Sequence, residues 1–341
     1  MTIIFDKHIP FLLEAIQNEW PQVEICPLTP EEIDADAVRN ADVLIVRTRT
    51  KVNEALLAGS RVQLVCTATI GFDHIDTAYC DSHGIRWMSC PGCNAQAVCD
   101  YIEEAIDEYL TAKRSYSDNG LTETTVLQRS GLTIGVVGVG HVGSLVAQMA
   151  ERRGLKVLLN DPPKGIGVSL DASEGIEPFS GGEIADCDII TFHVPLDKST
   201  HHLCNEAFLN KCKPGALIIN AARGGVVDEQ ALLRSGHPFI LDTWENEPNI
   251  NPEVLSKALL ASMHIAGYSV EGKRNASQMC LDAIAAQFGL PPIDISLYRY
   301  TVIPLSRKNN SEPWLAAITK QLKADPTAFE ALRKAYPLRG V

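Results

Sequence analysis

Short apolar runs alternate with amphipathic stretches over the first ninety residues of the chain. Runs of this kind predict strands, and amphipathic stretches predict helices. The predicted strands lie at 2–5, 43–46, 63–67 and 85–88, and the predicted helices at 11–19 and 54–58. Strands separated by helices at this spacing indicate a parallel sheet with helical crossovers. We therefore expect an α/β unit in this part of the chain.

The same alternation resumes after a long amphipathic helix predicted at 95–112 and a polar stretch at 115–130, interpreted as a linker or surface loop. Further strands are predicted at 132–138, 156–160, 188–192, 216–220 and 239–242. Further helices are predicted at 141–153, 273–288, 314–322 and 329–336. The pattern thus indicates a second wound α/β unit.

Composition narrows the class of protein. A chain of 341 residues exceeds the usual size of one domain, and 45% hydrophobic with 21% charged residues is typical of globular proteins. The formal net charge of −12 argues against a nucleic-acid partner, which requires a basic surface. No apolar run reaches the roughly twenty residues of a membrane span, so no membrane partner is expected.

Ten cysteines are spread from Cys26 to Cys280, which favours free thiols in the cytoplasm over a disulfide framework. Cys90 and Cys93 have the C-x-x-C spacing of some metal sites. No second close pair of Cys or His residues completes a tetrahedral ligand set, so no metal site is predicted.

A dinucleotide fingerprint lies at the start of the second unit. Gly138, Gly140 and Gly143 form G-x-G-x-x-G, with His141 and Val142 between them, directly after a predicted strand and at the start of a predicted helix. Asp161 ends the next strand, where a carboxylate accepts hydrogen bonds from the ribose hydroxyls of NAD. NADP stays as an alternative because Lys164 lies nearby.

Three chemically active side chains follow later predicted strands of this unit. Arg223 has the planar guanidinium that suits a carboxylate, and His264 titrates near neutral pH and can take a hydroxyl proton. Glu247 would hold the second ring nitrogen of His264. Behind a dinucleotide fingerprint, this set predicts oxidation of a 2-hydroxy acid, with NAD accepting the hydride.

The chain resembles the D-isomer-specific 2-hydroxyacid dehydrogenase family along nearly its full length. The segments that carry the resemblance are 46–54, 66–76, 91–95, 158–163, 191–195, 241–248 and 264–272. The resemblance implies Arg223, Glu247 and His264 as catalytic residues and Thr48, Thr69 and Tyr268 as substrate-binding residues. The cofactor contacts that it implies are Asp161, Val194, Ala221, Ala222, Arg223, Asp242 and Gly267.

The resemblance also implies a Rossmann-like NAD domain at 97–263, inserted in a flavodoxin-like substrate-binding domain at 1–96 that is completed by 264–288. A short C-terminal region at 289–341 would be a truncated dimerisation region, and the expected assembly is a homodimer. The implied substrate is a small phosphorylated 2-hydroxy acid. Candidate cations for its phosphate are Arg47, Arg49, Lys51, Lys273 and Arg274.

Two alternatives stay open from the sequence. Another member of the family would act on phosphoglycerate or on an unphosphorylated 2-hydroxy acid. A protein of the same fold could also serve as an NAD(H)-sensing scaffold, although the complete set of three catalytic residues favours an enzyme.

Overall fold

The computed structural model describes residues 1–117, 131–167, 184–298 and 313–339, with only the backbone described at 112–117. Most of the predicted linker at 115–130 lies outside the described residues. The described strands are β1 (Thr2–Asp6), β2 (Glu24–Leu28), β3 (Val43–Val46), β4 (Leu64–Thr67), β5 (Arg86–Met88), β6 (Thr133–Val137), β7 (Lys156–Asn160), β8 (Ile189–Phe192), β9 (Leu217–Asn220), β10 (Phe239–Leu241) and β11 (Leu260–Ala261).

The described helices are α1 (Leu12–Glu19), α2 (Ala35–Val38), α3 (Glu54–Leu57), α4 (Thr77–Ser82), α5 (Ala95–Ser117), α6 (His141–Arg152), α7 (Glu206–Leu209), α8 (Glu229–Ser235), α9 (Pro252–Lys257), α10 (Val270–Phe288), α11 (Trp314–Ala324) and α12 (Phe329–Ala335). Within the described residues, no helix combines the length and the apolar character that a membrane crossing requires.

The chain divides into two compact units, each formed from separate segments of sequence. The first unit consists of Met1–Asn94, Tyr268–Leu305 and Leu338–Val341, and the second of Ala95–Gly267 and Ser306–Pro337. The substrate-binding role predicted for the first unit and the dimerisation role of the C-terminal region stay predictions.

The first unit contains a parallel sheet with the strand order β2-β1-β3-β4-β5, the order of flavodoxin-like folds. Successive residues of its strands point to opposite faces: Phe5 packs in a cluster with α1 and α10, whereas Ile4 packs in a cluster with α2, α3 and α4. Trp20 is fully buried, and its Nε1 donates to the carbonyl of Pro291 at 2.9 Å. Residues 291–298, which follow α10, are therefore part of the core of the first unit.

The second unit contains a parallel sheet with the order β11-β10-β9-β8-β6-β7. Apolar residues of α5, α6 and α11 cover one face of the sheet. The order of the strands reverses between β6 and β8, and ligands of such sheets bind beyond the carboxyl ends of the strands at this point. Two wound parallel α/β sheets confirm the predicted fold class.

Candidate active site

The fingerprint glycines form the loop between β6 and α6. Gly138 has φ +88°, and a Cβ there would lie 2.7 Å from the carbonyl oxygen of His193. A Cβ at Gly143 would lie 1.9 Å from the carbonyl oxygen of Gly138. Both positions therefore exclude any side chain, and α6 is held close to the end of β6.

The start of α6 is open toward a cavity of about 360 Å³, lined by Val139, Gly140, His141, Ser144, Leu145 and Lys164. Gly140 is the N-cap of α6, and apart from the adjacent residues of the chain no described atom would lie within 4 Å of a Cβ built there. The N-terminus of a helix attracts a phosphate because its first N–H groups lack intrahelical partners. The loop therefore has the space and the donors that a pyrophosphate needs.

Asp161 and Lys164 hold this loop from the end of β7. One carboxylate oxygen of Asp161 accepts the N–H of Val139 at 2.9 Å, and the ammonium of Lys164 donates to the carbonyl of Val139 at 2.7 Å. The same ammonium lies 3.8 Å from the Asp161 carboxylate. Lys164 is thus engaged by the protein, and a ribose 2′-phosphate would meet the negative charge of Asp161.

The remaining predicted cofactor contacts follow neighbouring strands of the same sheet. Val194 follows β8, Ala221–Arg223 follow β9, and Asp242 follows β10. Gly267 is the last residue of the second unit before Tyr268. The fold thus brings the carboxyl ends of adjacent strands to one edge of the sheet.

Arg223 lies in a turn fixed by Asn220. The side-chain amide of Asn220 donates to the carbonyl of Arg223 at 2.9 Å and accepts the N–H of Ala222 at 3.1 Å. Arg223 is half-buried and donates from Nη1 to the carbonyl of Ala222 at 2.8 Å. Across the described ranges no carboxylate lies within ion-pair distance of Arg223, so its charge is available to an anion.

Glu247 and His264 form a hydrogen-bonded pair. Nδ1 of His264 lies 2.8 Å from one carboxylate oxygen of Glu247, and the other oxygen accepts the N–H of Trp244 at 2.9 Å. Burial raises the pKa of Glu247, but the bond to His264 and its charge, the N–H of Trp244 and the charge of Arg333 together hold that pKa below its ordinary value. An ionised Glu247 accepts a hydrogen bond from the Nδ1–H of His264, which leaves Nε2 as the basic nitrogen of the neutral ring.

Asp242 holds the backbone that carries His264. Its carboxylate, 1% exposed, accepts the N–H of Ile265 at 2.7 Å, the N–H of Ala266 at 2.9 Å and the hydroxyl of Ser262 at 2.7 Å. His264 has φ +58°, in the left-handed region that a non-glycine residue seldom adopts. The resemblance assigned Asp242 to the cofactor, and sequence reasoning missed this anchoring role.

Glu229 bonds the loop that carries Glu247. It is 3% exposed, and its carboxylate accepts the N–H of Glu245 at 2.9 Å. Burial, with the nearby charges of Glu245 and Glu247, raises the pKa of Glu229 to about 7 despite the opposing hydrogen bond from Glu245. A Cβ at Gly224 would lie 1.9 Å from the carbonyl oxygen of Trp244, so these two loops are in close contact. Sequence reasoning missed Glu229, which lies in no predicted element and in no family motif.

The predicted substrate residues lie in the first unit. Thr48 follows β3 and is exposed, and Thr69 follows the neighbouring strand β4 and is half-buried. Tyr268 is half-buried, and the ammonium of Lys273 lies 5.2 Å from the centre of its ring. Their contact with substrate stays a prediction.

Several of the candidate phosphate-binding cations already have partners within the protein. Arg47 donates from Nε to the buried carboxylate of Asp6 at 2.6 Å. The guanidinium of Arg274 lies 5.2 Å from the centre of the Phe11 ring and donates to the carbonyl of Tyr298 at 3.4 Å. Arg49 and Lys51 are exposed.

Comparisons with known proteins identify the family. The NAD binding domain of D-isomer specific 2-hydroxyacid dehydrogenases matches residues 102–266. An erythronate-4-phosphate dehydrogenase of Bacteroides fragilis is 40% identical, over 99% of this chain and 97% of the relative. One from Porphyromonas gingivalis is 39% identical, over 99% of this chain and 92% of the relative. Within the family, the sequence motifs resemble those of erythronate-4-phosphate dehydrogenases, and these relatives confirm that resemblance.

Solved structures agree in fold. The NAD⁺-bound 3-phosphoglycerate dehydrogenase of Entamoeba histolytica matches with a TM-score of 0.65 and 25% identity, over 85% of this chain and 95% of that one. The D-lactate dehydrogenase of Aquifex aeolicus, in complex with NAD and lactic acid, matches with a TM-score of 0.63 and 24% identity, over 84% and 95%. The predicted cofactor, NAD, is confirmed by the matching NAD binding domain. The chain is therefore an NAD-dependent dehydrogenase that belongs to the D-isomer-specific 2-hydroxyacid dehydrogenase family.

Proposed function

We propose that the protein oxidises 4-phospho-D-erythronate to 3-hydroxy-2-oxobutanoate 4-phosphate with NAD, and that this reaction supplies the pathway to pyridoxal 5′-phosphate, a form of vitamin B6. The observation that carries the proposal is the Glu247–His264 pair, which with Arg223 follows neighbouring strands of the second sheet, in a chain about 40% identical to named erythronate-4-phosphate dehydrogenases over nearly its full length.

Bound NAD supplies the acceptor for the hydride that leaves C2 of the substrate. His264 takes the hydroxyl proton on Nε2, because Glu247 holds the proton of Nδ1. The imidazolium that forms is stabilised by the Glu247 carboxylate. Arg223 binds the substrate carboxylate and stabilises the oxygen at C2 as it becomes a carbonyl.

The cofactor is held by groups of the second unit. The N-terminus of α6 would bind the pyrophosphate in the open space at Gly140, and Asp161 would accept hydrogen bonds from the ribose hydroxyls. Cytoplasmic location and assembly as a homodimer stay predictions from the sequence.

The first test is an assay of purified protein with NAD and, separately, 4-phospho-D-erythronate, D-3-phosphoglycerate and D-lactate. A 2-oxo acid is added to reoxidise tightly held cofactor, and mass spectrometry identifies the products. We expect conversion of the phosphoerythronate. Turnover of only D-3-phosphoglycerate or D-lactate would support the proposed chemistry but assign a different substrate. NAD binding without any turnover would favour the scaffold alternative.

The pathway is tested in a bacterial strain that lacks its own erythronate-4-phosphate dehydrogenase and requires pyridoxine for growth. Expression of this chain should restore growth without pyridoxine, and the His264→Ala variant should not. Failure of the wild-type chain, at a protein level equal to that of a rescuing homologue, would contradict the pathway assignment.

A further inference from the structure

Three polar side chains form a hydrogen-bonded chain after β4 in the first unit. Oγ1 of Thr67, the last residue of β4, lies 3.0 Å from Nε2 of His74 and 2.6 Å from Oγ1 of Thr69. Oγ1 of Thr69 donates to the carbonyl of Gly71 at 2.9 Å. Thr69 is one of the predicted substrate-binding residues, whereas Thr67 and His74 have no role in the function proposed above.

The direction of every bond in this chain follows from the number of protons. A carbonyl only accepts, so the single hydroxyl proton of Thr69 goes to Gly71. Thr67 must then donate its own proton to Thr69. Having no second proton, Thr67 accepts from His74, which fixes the proton of the ring on Nε2.

Burial keeps the His74 ring neutral. Burial lowers the pKa of His74, and the nearby charge of Asp73 opposes this shift without cancelling it. Thr67 is fully buried. Water therefore has no access to the middle of the chain, and the Nε2–H of His74 keeps the hydroxyl proton of Thr67 directed toward Thr69.

We propose that His74 and Thr67 are positioning residues that direct the hydroxyl proton of Thr69 toward an anionic oxygen of the substrate. This inference rests on the proposed function, in which Thr69 binds substrate. Because Thr69 already accepts from Thr67, its proton points away from Thr67. A carboxylate or phosphate oxygen is a stronger acceptor than the carbonyl of Gly71, so a small rotation of the hydroxyl delivers the proton to the substrate.

The test measures KM and kcat with 4-phospho-D-erythronate for four single variants. We expect His74→Leu and Thr67→Val to raise KM about ten-fold, the scale of one hydrogen bond to a charged group, with kcat changed by less than two-fold. His74→Gln places an amide N–H near the position of Nε2 and should restore most of the affinity. His83→Leu alters an exposed histidine of the same unit and is the matched control.

A double variant separates positioning from a general structural effect. In the Thr69→Val background, His74→Leu should raise KM no further, because the hydroxyl through which His74 acts is gone. Equal KM increases with and without the Thr69 hydroxyl would overturn the inference, as would equal damage by His74→Leu and His74→Gln. Absence of wild-type turnover would instead contradict the proposed function.

The same variants, assayed with unphosphorylated D-erythronate, identify the oxygen that is bound. Loss of the KM effect assigns the Thr69 contact to the phosphate, and a retained effect assigns it to the carboxylate. Either result supports the proposed alignment of Thr69. Retention of NAD binding by each variant, measured from NADH fluorescence, shows that the second unit is intact.

Discussion

The basic nitrogen of His264 is selected by a single carboxylate. Ionised Glu247 can only accept a hydrogen bond, so the proton of the ring stays on Nδ1 and the lone pair on Nε2. Glu247 also accepts the N–H of Trp244. Glu247 therefore fixes the backbone at Trp244 as well as the tautomer of His264.

Exchanging this carboxylate for an amide should reverse the tautomer. In Glu247→Gln, the amide NH₂ would donate to Nδ1 and move the proton of the ring to Nε2, which can then no longer act as a base. We expect kcat to fall by about 10²–10⁴-fold while NAD affinity is kept. Steady-state kinetics with NADH titration measures both. Glu245→Gln is the control, because the carboxylate of Glu245 bonds His202 rather than His264. Equal losses of kcat in the two variants would contradict the role assigned to Glu247.

Glu229 makes stability depend on pH. Its pKa is about 7 in the folded protein, against an ordinary value of 4.5, so the folded chain binds this proton more tightly than the unfolded chain does. The contribution to stability is present below pH 4.5 and is lost as the pH rises through 7.

The Glu229→Gln variant removes this titration and keeps an oxygen for the N–H of Glu245. From pH 5 to pH 8, we expect the free energy of unfolding of the variant to increase relative to the wild type by on the order of 3 kcal/mol. Urea unfolding at both pH values measures the change. A difference between the two proteins that does not vary with pH would show that Glu229 titrates normally.

Among the elements, helix α11 protects an edge of the second sheet. β11 is the edge strand, and the N–H of Ala261 donates to the hydroxyl of Thr319 at 2.8 Å. Thr319 is itself buried. An edge strand has unpaired backbone groups, and here the N–H of Ala261 is bonded by a side chain from a helix 58 residues later in the sequence.

Removal of that hydroxyl should destabilise the second unit. Thr319→Val leaves the buried N–H of Ala261 without an acceptor, and we expect a loss of about 1–3 kcal/mol in the free energy of unfolding. Thr319→Ser keeps the hydroxyl and should lose much less. Thermal unfolding of the two variants beside the wild type measures the difference, and a Thr319→Val variant as stable as Thr319→Ser would contradict the role of the hydroxyl.

The sequence predicted the interior strands well because continuous apolar runs mark them, as at 43–46 and 188–192. It missed β2, which carries Pro27 and half-exposed residues at an edge of the first sheet, and the two-residue strand β11. Arg223, Glu247 and His264 could be singled out because each follows a predicted strand, and Glu247 and His264 also lie in family motifs. The anchoring bonds of Asp242 and Glu229 depend on which loops meet in space, and neither apolar periodicity nor motif spacing contains that information.

At the scale of the whole molecule, the predicted cofactor contacts all belong to the second unit. NAD should therefore slow hydrogen exchange in that unit, most strongly in the segments 138–143 and 221–223. NADP at the same concentration should protect less, because its 2′-phosphate meets the carboxylate of Asp161. Exchange measured by mass spectrometry compares the two cofactors, and equal protection would contradict the role of Asp161.

The first unit is assembled from segments that leave the ribosome at different times. Residues 1–94 emerge early, yet the apolar face around Ile16 and Trp20 is covered by Cys280, Leu281 and Ile284. The intervening 173 residues, Ala95–Gly267, must be translated before that cover exists. During synthesis, the N-terminal segment therefore exposes this hydrophobic surface until α10 has been translated, and a chaperone can bind it in that interval.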